Sequence, residues 1–168
     1  MDVVEATKRS VGHSHDWFSG TCADLSQAQA DFLPAGVAHP IGELVAHVLQ
    51  SEDFIINGMI QGKPPVWETE GWEQKLGVPN VAMHTQEMAR GFKVDLKALE
   101  PYKAAVYAST ESYLAGITPD ELDREVQGPF GAMKVADALS NALIGNNLAH
   151  TGEISALKGL QGAKGYAF

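Results

Sequence analysis

The sequence predicts an all-α fold, in which four long helices form a bundle and a long loop separates the second helix from the third. Three observations lead to this prediction. Apolar residues recur at helical spacing through most of the chain. Clusters of proline and glycine divide it into segments of helical length, and no segment shows the clear alternation of a strand. The 168 residues suffice for one hydrophobic core, so we predict a single domain over residues 1–168.

Proline and glycine mark the boundaries of the first two helices. The first helix is predicted over residues 3–24, before a linker around Pro34. The second is predicted over residues 40–61, because apolar residues recur there at the spacing of one helical face. Pro40 suits the first turn of this helix, and the glycine and prolines of residues 62–65 end it.

Residues 62–80 are predicted to form the long loop, because they are rich in proline and glycine. A loop of this length is uncommon in a compact domain unless it serves a function. It contains Trp67 and Trp72, which we expect to cover one end of the bundle. The alternative is that these tryptophans form the wall of a pocket.

Two further long helices complete the predicted bundle. The third is predicted over residues 81–115, with a kink or break just before Pro101, because proline removes a backbone donor. A capping box at residues 118–121 predicts a short helix after it. The last long helix is predicted over residues 134–158, with Gly159 as the residue that ends it.

The composition argues against several classes of function. The formal net charge of −9 and the sequence pI of about 5.0 disfavour binding to nucleic acid or to an anionic membrane surface. No apolar run approaches the roughly 20 residues of a membrane span, and the opening residues lack the pattern of a secretory signal. We therefore expect a cytoplasmic protein. The single cysteine, Cys22, fits a reducing compartment and is interpreted as a small apolar residue.

Two polar residues fall on the apolar face of the last predicted helix. At about 100° per residue, Asn146 and His150 lie within a stripe of apolar residues, and their spacing of four makes them neighbours. The second helix adds His47 at the edge of its own apolar face. Buried polar groups must be hydrogen-bonded or coordinated. Two interpretations stay open: a hydrogen-bonded polar pair, or a metal site built from facing helices.

Two stretches of the sequence resemble the DinB-like family. PIGELVAHVLQSEDFIINGMIQGKPP, residues 40–65, is similar to the family's second helix, and NNLAHTGEISALKGLQG, residues 146–162, is similar to its last helix. The resemblance implies a four-helix bundle, often dimeric, that holds a divalent metal ion such as nickel or zinc (Ni or Zn) on a face of three histidines. Its relatives include thiol-dependent S-transferases and mycothiol-dependent maleylpyruvate isomerases.

One departure from the family pattern concerns Asn146. His47 and His150 fall on the family's ligand positions, but Asn146 stands where a third histidine is usual. An amide is a poor ligand for nickel or zinc. Three outcomes are open: weak binding through Asn146, directly or through a water; a substitute ligand; or no metal. The residues considered as substitutes are Glu153, His84, His13 and His15.

The resemblance implies an enzyme that transfers a low-molecular-weight thiol to a small electrophile, with Glu153 as the catalytic proton carrier. The alternative is a small-molecule-binding or stress-response bundle without catalysis, whose metal site is degenerate. In both cases we expect a homodimer with a small-molecule ligand, and no nucleic acid or membrane partner. Glu43 and Glu52 are expected to be solvated or in ordinary pairs, and His39 to be exposed.

Overall fold

A computed structural model describes residues 2–83, 91–129 and 131–166, and these residues are mostly helical. The helices are α1 Val3–Cys22, α2 Gln27–Ala30, α3 Ile41–Asp53, α4 Val66–Thr69, α5 Trp72–Leu76, α6 Leu96–Ala115, α7 Pro119–Asp123, α8 Val135–Asp137 and α9 Asn146–Leu160. A π-helical segment, Phe54–Ile60, continues α3, and a second, Ala138–Gly145, joins α8 to α9. The predicted all-α fold is therefore confirmed, with four long helical units: α1, α3 with its π-helical extension, α6, and α8 through α9.

The long helices pack around α3. This helix contacts α6 and α9, and α1 packs along α9. Every residue of α3 is buried, so it has no face toward solvent. Its polar side chains must therefore find partners inside the protein.

The predicted loop after α3 is partly helical, since it contains α4 and α5. Asp53, at the end of α3, holds the start of α4 in place. The Asp53 carboxylate accepts hydrogen bonds from the backbone N–H groups of Val66 and Trp67, at 2.9 and 2.8 Å, and from the hydroxyl of Tyr102 at 2.8 Å. Trp67 and Trp72 pack against the ring of Tyr102 with centroids 5.2 and 5.5 Å apart. Both tryptophans therefore lie in the core.

The third long helix begins later than predicted. Helix α6 starts at Leu96, where Asp95 accepts hydrogen bonds from the N–H groups of Lys97 and Ala98. Residues 91–95 precede it without helical structure, and residues 84–90 lie outside the described part of the chain. Helix α6 runs through Pro101 without a break, although proline lacks the N–H that would bond to the carbonyl of Lys97.

Between α7 and α8 the chain forms an antiparallel hairpin that the sequence did not predict. Its strands, β1 Glu125–Gly128 and β2 Gly131–Lys134, have only four residues each, too few for a clear alternation. Thr118 caps α7 as predicted, but Glu121 binds Tyr113 and Arg124 and does not close a capping box. Helix α9 ends at Leu160, and Gly162, with φ of 75°, takes the place predicted for Gly159.

Glu52 ties four helices together at the centre of the bundle. Its carboxylate accepts hydrogen bonds from His15 Nε2 of α1 at 2.9 Å, Thr110 of α6 at 2.6 Å and Asn147 of α9 at 3.2 Å. The ring of His15 also stacks on Tyr107, with centroids 3.9 Å apart. A buried carboxylate is stable only with such partners.

Of the two states expected for Glu43 and Glu52, solvated or in side-chain pairs, the structure shows pairs for both residues, because the whole of α3 is enclosed. Glu43 binds the ring of His39 at 2.9 Å and the backbone N–H of Gly91. The side chain of His39 is consequently mostly buried instead of exposed.

Replacing Glu52 with alanine is expected to lower the free energy of unfolding by about 3 kcal/mol, because three buried donors lose their acceptor. Glu111→Ala, on the exposed face of α6, is the matched control and should change it by less than about 0.5 kcal/mol. Urea unfolding measures both. Similar costs for the two variants would contradict the role of Glu52.

Candidate functional site

His47 lies on α3 with its ring orientation fixed by the segment that follows α5. Its Nδ1 is 2.7 Å from the carbonyl oxygen of Val81. A carbonyl can only accept, so Nδ1 carries the proton. In the neutral ring the lone pair then belongs to Nε2, the atom through which such an imidazole binds a metal or accepts a proton.

The segment around Val81 is itself held by neighbours of His47 on α3. Gln50 accepts a hydrogen bond from the Val81 N–H and donates one to the carbonyl of Pro79 at 3.2 Å. The hydroxyl of Ser51 donates to the carbonyl of Ala82 at 2.8 Å. These contacts place the Val81 carbonyl against His47, so the orientation of His47 follows from the packing of this segment on α3.

His150 lies on α9 and is oriented in a similar way. Its Nδ1 is 3.0 Å from Oε2 of Glu153, one turn further along the helix. Because an ionised carboxylate only accepts, Nδ1 is the protonated nitrogen here too. The side chain of His150 is 22% exposed and that of Glu153 is 39% exposed, so this pair lies nearer to solvent than His47.

The two imidazoles meet. Their ring centroids are 4.7 Å apart and their planes are inclined at 83°. Burial lowers the pKa of His47 below its ordinary value of 6.5, and the neighbouring His150 lowers it further. The hydrogen bond to Val81 and the adjacent Asn146 amide oppose this shift in part. His47 is therefore neutral at pH 7, as a metal ligand or a proton acceptor must be.

Asn146 completes the polar end of this site. Its side-chain nitrogen Nδ2 is buried and completes no hydrogen bond with any described residue, although the amide lies close enough to His47 to affect its pKa. An unsatisfied buried amide is costly, and it often marks a place where a ligand, an ion or a water binds.

These polar groups lie at a cavity of about 650 Å³ that is open to solvent. The rest of its lining is mostly apolar and comes from the two π-helical segments, from the hairpin and from the chain after Val81. The lining residues are His47, Ser51, Phe54, Ile55, Met59, Ala82, Met83, Pro129, Met133, Asn141, Ala142, Gly145, Asn146, Ala149 and His150. This size and this mixture of surfaces are typical of small-molecule sites.

The π-helical segment before α9 changes which residues reach the cavity. Bonding between residues i and i+5 widens the turn, so an analysis at about 100° per residue is out of register after Gly145. The buried polar residues of α9 are Asn147, Thr151 and Lys158, and Asn147 binds Glu52. Asn146 and His150 lie beside the core, on the cavity wall.

The other histidines considered as ligands lie elsewhere. His15 binds Glu52, and His13 packs against Trp17 with ring centroids 5.1 Å apart. His84 is outside the described residues. Among residues 2–83, 91–129 and 131–166, no cluster of three or more His, Cys, Asp or Glu side chains could hold a metal ion. Burial raises the pKa of Cys22 to about 12, so its thiol is not a ready nucleophile.

Comparison with known proteins identifies the family. The family model described as the DinB superfamily matches residues 14–154. The chain belongs to the DinB superfamily. A crystal structure of a conserved protein from Enterococcus faecalis is similar to it, with a TM-score of 0.77 and 24% sequence identity over 95% of this chain and 97% of that chain. At this identity the likeness supports the fold alone. A comparison with curated proteins gives no match.

For this member of the DinB superfamily, the sequence had indicated His47, His150, Asn146 and Glu153, and the structure brings all four together. The residues it missed are those that shape the cavity, above all Met59, Met133 and Gly145, and the Val81 carbonyl that orients His47. Only tertiary contacts reveal these roles.

No helix of the described residues is long and apolar enough to cross a membrane.

The lowered pKa of His47 predicts a pH effect on stability. Below pH 6.5 the unfolded chain binds a proton at this position more readily than the folded one. The free energy of unfolding should therefore fall as the pH drops from the unfolded pKa toward the lower folded pKa, and His47→Gln should reduce this slope. Urea unfolding between about pH 7 and pH 5 measures how the free energy of unfolding changes with pH. Equal slopes for the wild type and His47→Gln would contradict the expectation.

Proposed function

We propose that this DinB superfamily protein is a metal-dependent enzyme acting on a small molecule, with His47 and His150 as ligands of one divalent ion. One observation carries the proposal. Two imidazoles from facing helices meet at the end of an open cavity, and the Nδ1 of each is committed to an acceptor. This arrangement of orienting hydrogen bonds is the usual one behind metal-binding histidines.

The ring separation is compatible with a shared ion. Zinc or nickel lies about 2.0–2.1 Å from a ligating nitrogen, and the ring centroid lies about 1.15 Å beyond that nitrogen. Nitrogen–metal–nitrogen angles of about 90–110° would therefore put the two centroids about 4.5–5.2 Å apart. The observed 4.7 Å falls in this range. The neutral state of His47 also suits binding, because a metal ion need not displace a proton from it.

Asn146 is the proposed third group of the site. Its amide oxygen would bind an ion more weakly than the imidazole that the family usually has, directly or through a water. Its Nδ2 is an N–H donor that cannot bind a cation, and it would donate instead to a water or to a polar atom of a bound molecule. With two imidazoles and one amide, we expect lower affinity than in a site with three histidines.

The proposed reaction is the transfer of a low-molecular-weight thiol to a small electrophile. A divalent ion bound here would act as a Lewis acid and lower the pKa of a thiol or water. The thiol loses its proton, its sulfur forms the new S–C bond, and the leaving group departs with the electron pair of the broken bond. Phe54, Ile55 and Met59 provide an apolar wall for the electrophile.

Glu153 is proposed to act mainly through His150. Its carboxylate holds the Nδ1 proton of that ring at 3.0 Å, but Glu153 is not part of the described cavity lining. It fixes the ring's tautomer and direction. Because His150 would be bonded at both nitrogens, the thiol proton would reach Glu153 through water in the open cavity, and the Glu153 side chain is 39% exposed. A homodimer and a cytoplasmic location remain predictions.

A second candidate function is small-molecule binding without catalysis. Asn146 favours it, because a neutral amide in place of an imidazole is what a site that has lost its metal would show. The apolar cavity would then still bind a ligand. The two candidates differ in whether the purified protein binds a metal ion.

Metal binding by protein purified without a polyhistidine tag tests the proposal. Titration calorimetry with nickel or zinc should show one site, which His47→Ala and His150→Ala each abolish. Asn146→His should tighten binding by at least about tenfold, because it adds a third imidazole. Less than about a tenth of an equivalent bound at saturation, with no gain in Asn146→His, would overturn the metal site.

Two further variants serve as controls. His13→Ala removes an imidazole from the exposed face of α1 and should leave the affinity unchanged, which excludes nonspecific binding to histidine. Glu153→Gln should weaken binding by about 10- to 100-fold, as expected for a group that orients a ligand. An unchanged affinity in Glu153→Gln would contradict its proposed role.

A further inference from the structure

Among the described residues, the wall of the cavity carries no charged side chain apart from its histidines. None of the described lining residues is Asp, Glu, Lys or Arg. Away from the proposed ion, a charged group of a ligand would lose its hydration against this wall without gaining an opposite charge from a described residue. The wall therefore discriminates against charged molecules.

Methionines form much of the apolar surface. The cavity is lined by Met59, Met83 and Met133, three of the five methionines in the chain. Methionine is flexible and polarisable, so it adapts to apolar ligands of different shapes. Met83 is 49% exposed, which places it toward the mouth.

The hairpin fixes part of this wall. A Cβ atom added at Gly128 would lie 2.8 Å from Cε of Met133 and 3.3 Å from Sδ of Met59. A side chain at this position would displace the flexible ends of both methionines, which now pack against the hairpin backbone. This wall of the cavity is therefore packed, and ligand space has to come from the opposite side.

Gly145 leaves that space open. It lies on the cavity lining at the end of the π-helical segment, with ordinary helical angles of φ −59° and ψ −46°. A Cβ atom there would meet only the carbonyl oxygen of Ser140, at 3.5 Å. Neither the backbone conformation nor close packing requires glycine here, so its remaining effect is the space next to Asn146.

We infer that the cavity takes an uncharged, largely apolar small molecule, and that Gly145 determines the size of molecule admitted. This inference rests on the proposed function in that it names the substrate class of the same site. Ligand binding to the apolar wall does not itself need a metal ion. The inferred ligand class and the proposed metal site can therefore fail separately.

A matched pair of fluorescent probes tests the inference on the full chain in the presence of a chelator. N-phenyl-naphthylamine is uncharged, and anilinonaphthalene sulfonate is the same molecule with an added sulfonate. The uncharged probe should bind saturably at one site, and the sulfonate should bind at least about tenfold more weakly. Equal or tighter binding of the sulfonate, or no binding of the uncharged probe, would overturn the inferred ligand class.

Gly145→Leu locates the binding site. The substitution should weaken the uncharged probe by at least about tenfold because the new side chain occupies the cavity, and it should not unfold α9 because leucine favours a helix over glycine. Gly159→Leu is the control on the same helix, at a position where a Cβ meets nothing within 4 Å. Equal affinities in the two variants would refute the role of Gly145. Metal titration of the wild type tests the proposed function independently.

Discussion

The complete burial of α3 is the constraint on which the rest of this structure depends. A helix without an exposed face cannot hydrate its polar side chains, so each must be satisfied by another element. Glu52 binds three helices, Asp53 binds the loop that contains α4, and His47 binds the segment at Val81. The polar groups of one buried helix thereby determine where the remaining elements lie.

The same constraint separates structural polar groups from the site. The carboxylates of Glu52 and Asp53 are each surrounded by donors from the protein. At the cavity, by contrast, the Asn146 amide nitrogen is buried without completing a hydrogen bond. Trp67 Nε1 and Asn147 Oδ1 are also buried without a hydrogen-bond partner among the described residues, but they lie in the packed core, whereas Asn146 lies next to open space that a ligand can fill. This difference, more than residue type, distinguishes His47 and His150 from His15.

The sequence predicted the helical units well, because periodicity and caps are local signals. It also indicated His47, Asn146 and His150, with the family resemblance supplying their proposed role. It failed where the outcome depends on tertiary packing. The burial of Glu52 depends on helices far apart in the chain, and the π-helical segment Ala138–Gly145 changes the register that a regular helix would have. Met133 reaches the cavity through a hairpin too short to leave a clear pattern.

The polar end of the cavity and its apolar walls come from different parts of the fold. Asn147 binds Glu52 in the core. It directly follows Asn146 and lies three residues before His150 on the same helix. The polar end of the cavity is thus attached to the central cluster, and its geometry is inherited from the bundle. The apolar walls come instead from π-helical segments and a short hairpin, which pack through methionines and glycines. Changes at Gly145 or Met133 can therefore alter the ligand while the packing that orients the imidazoles stays in place.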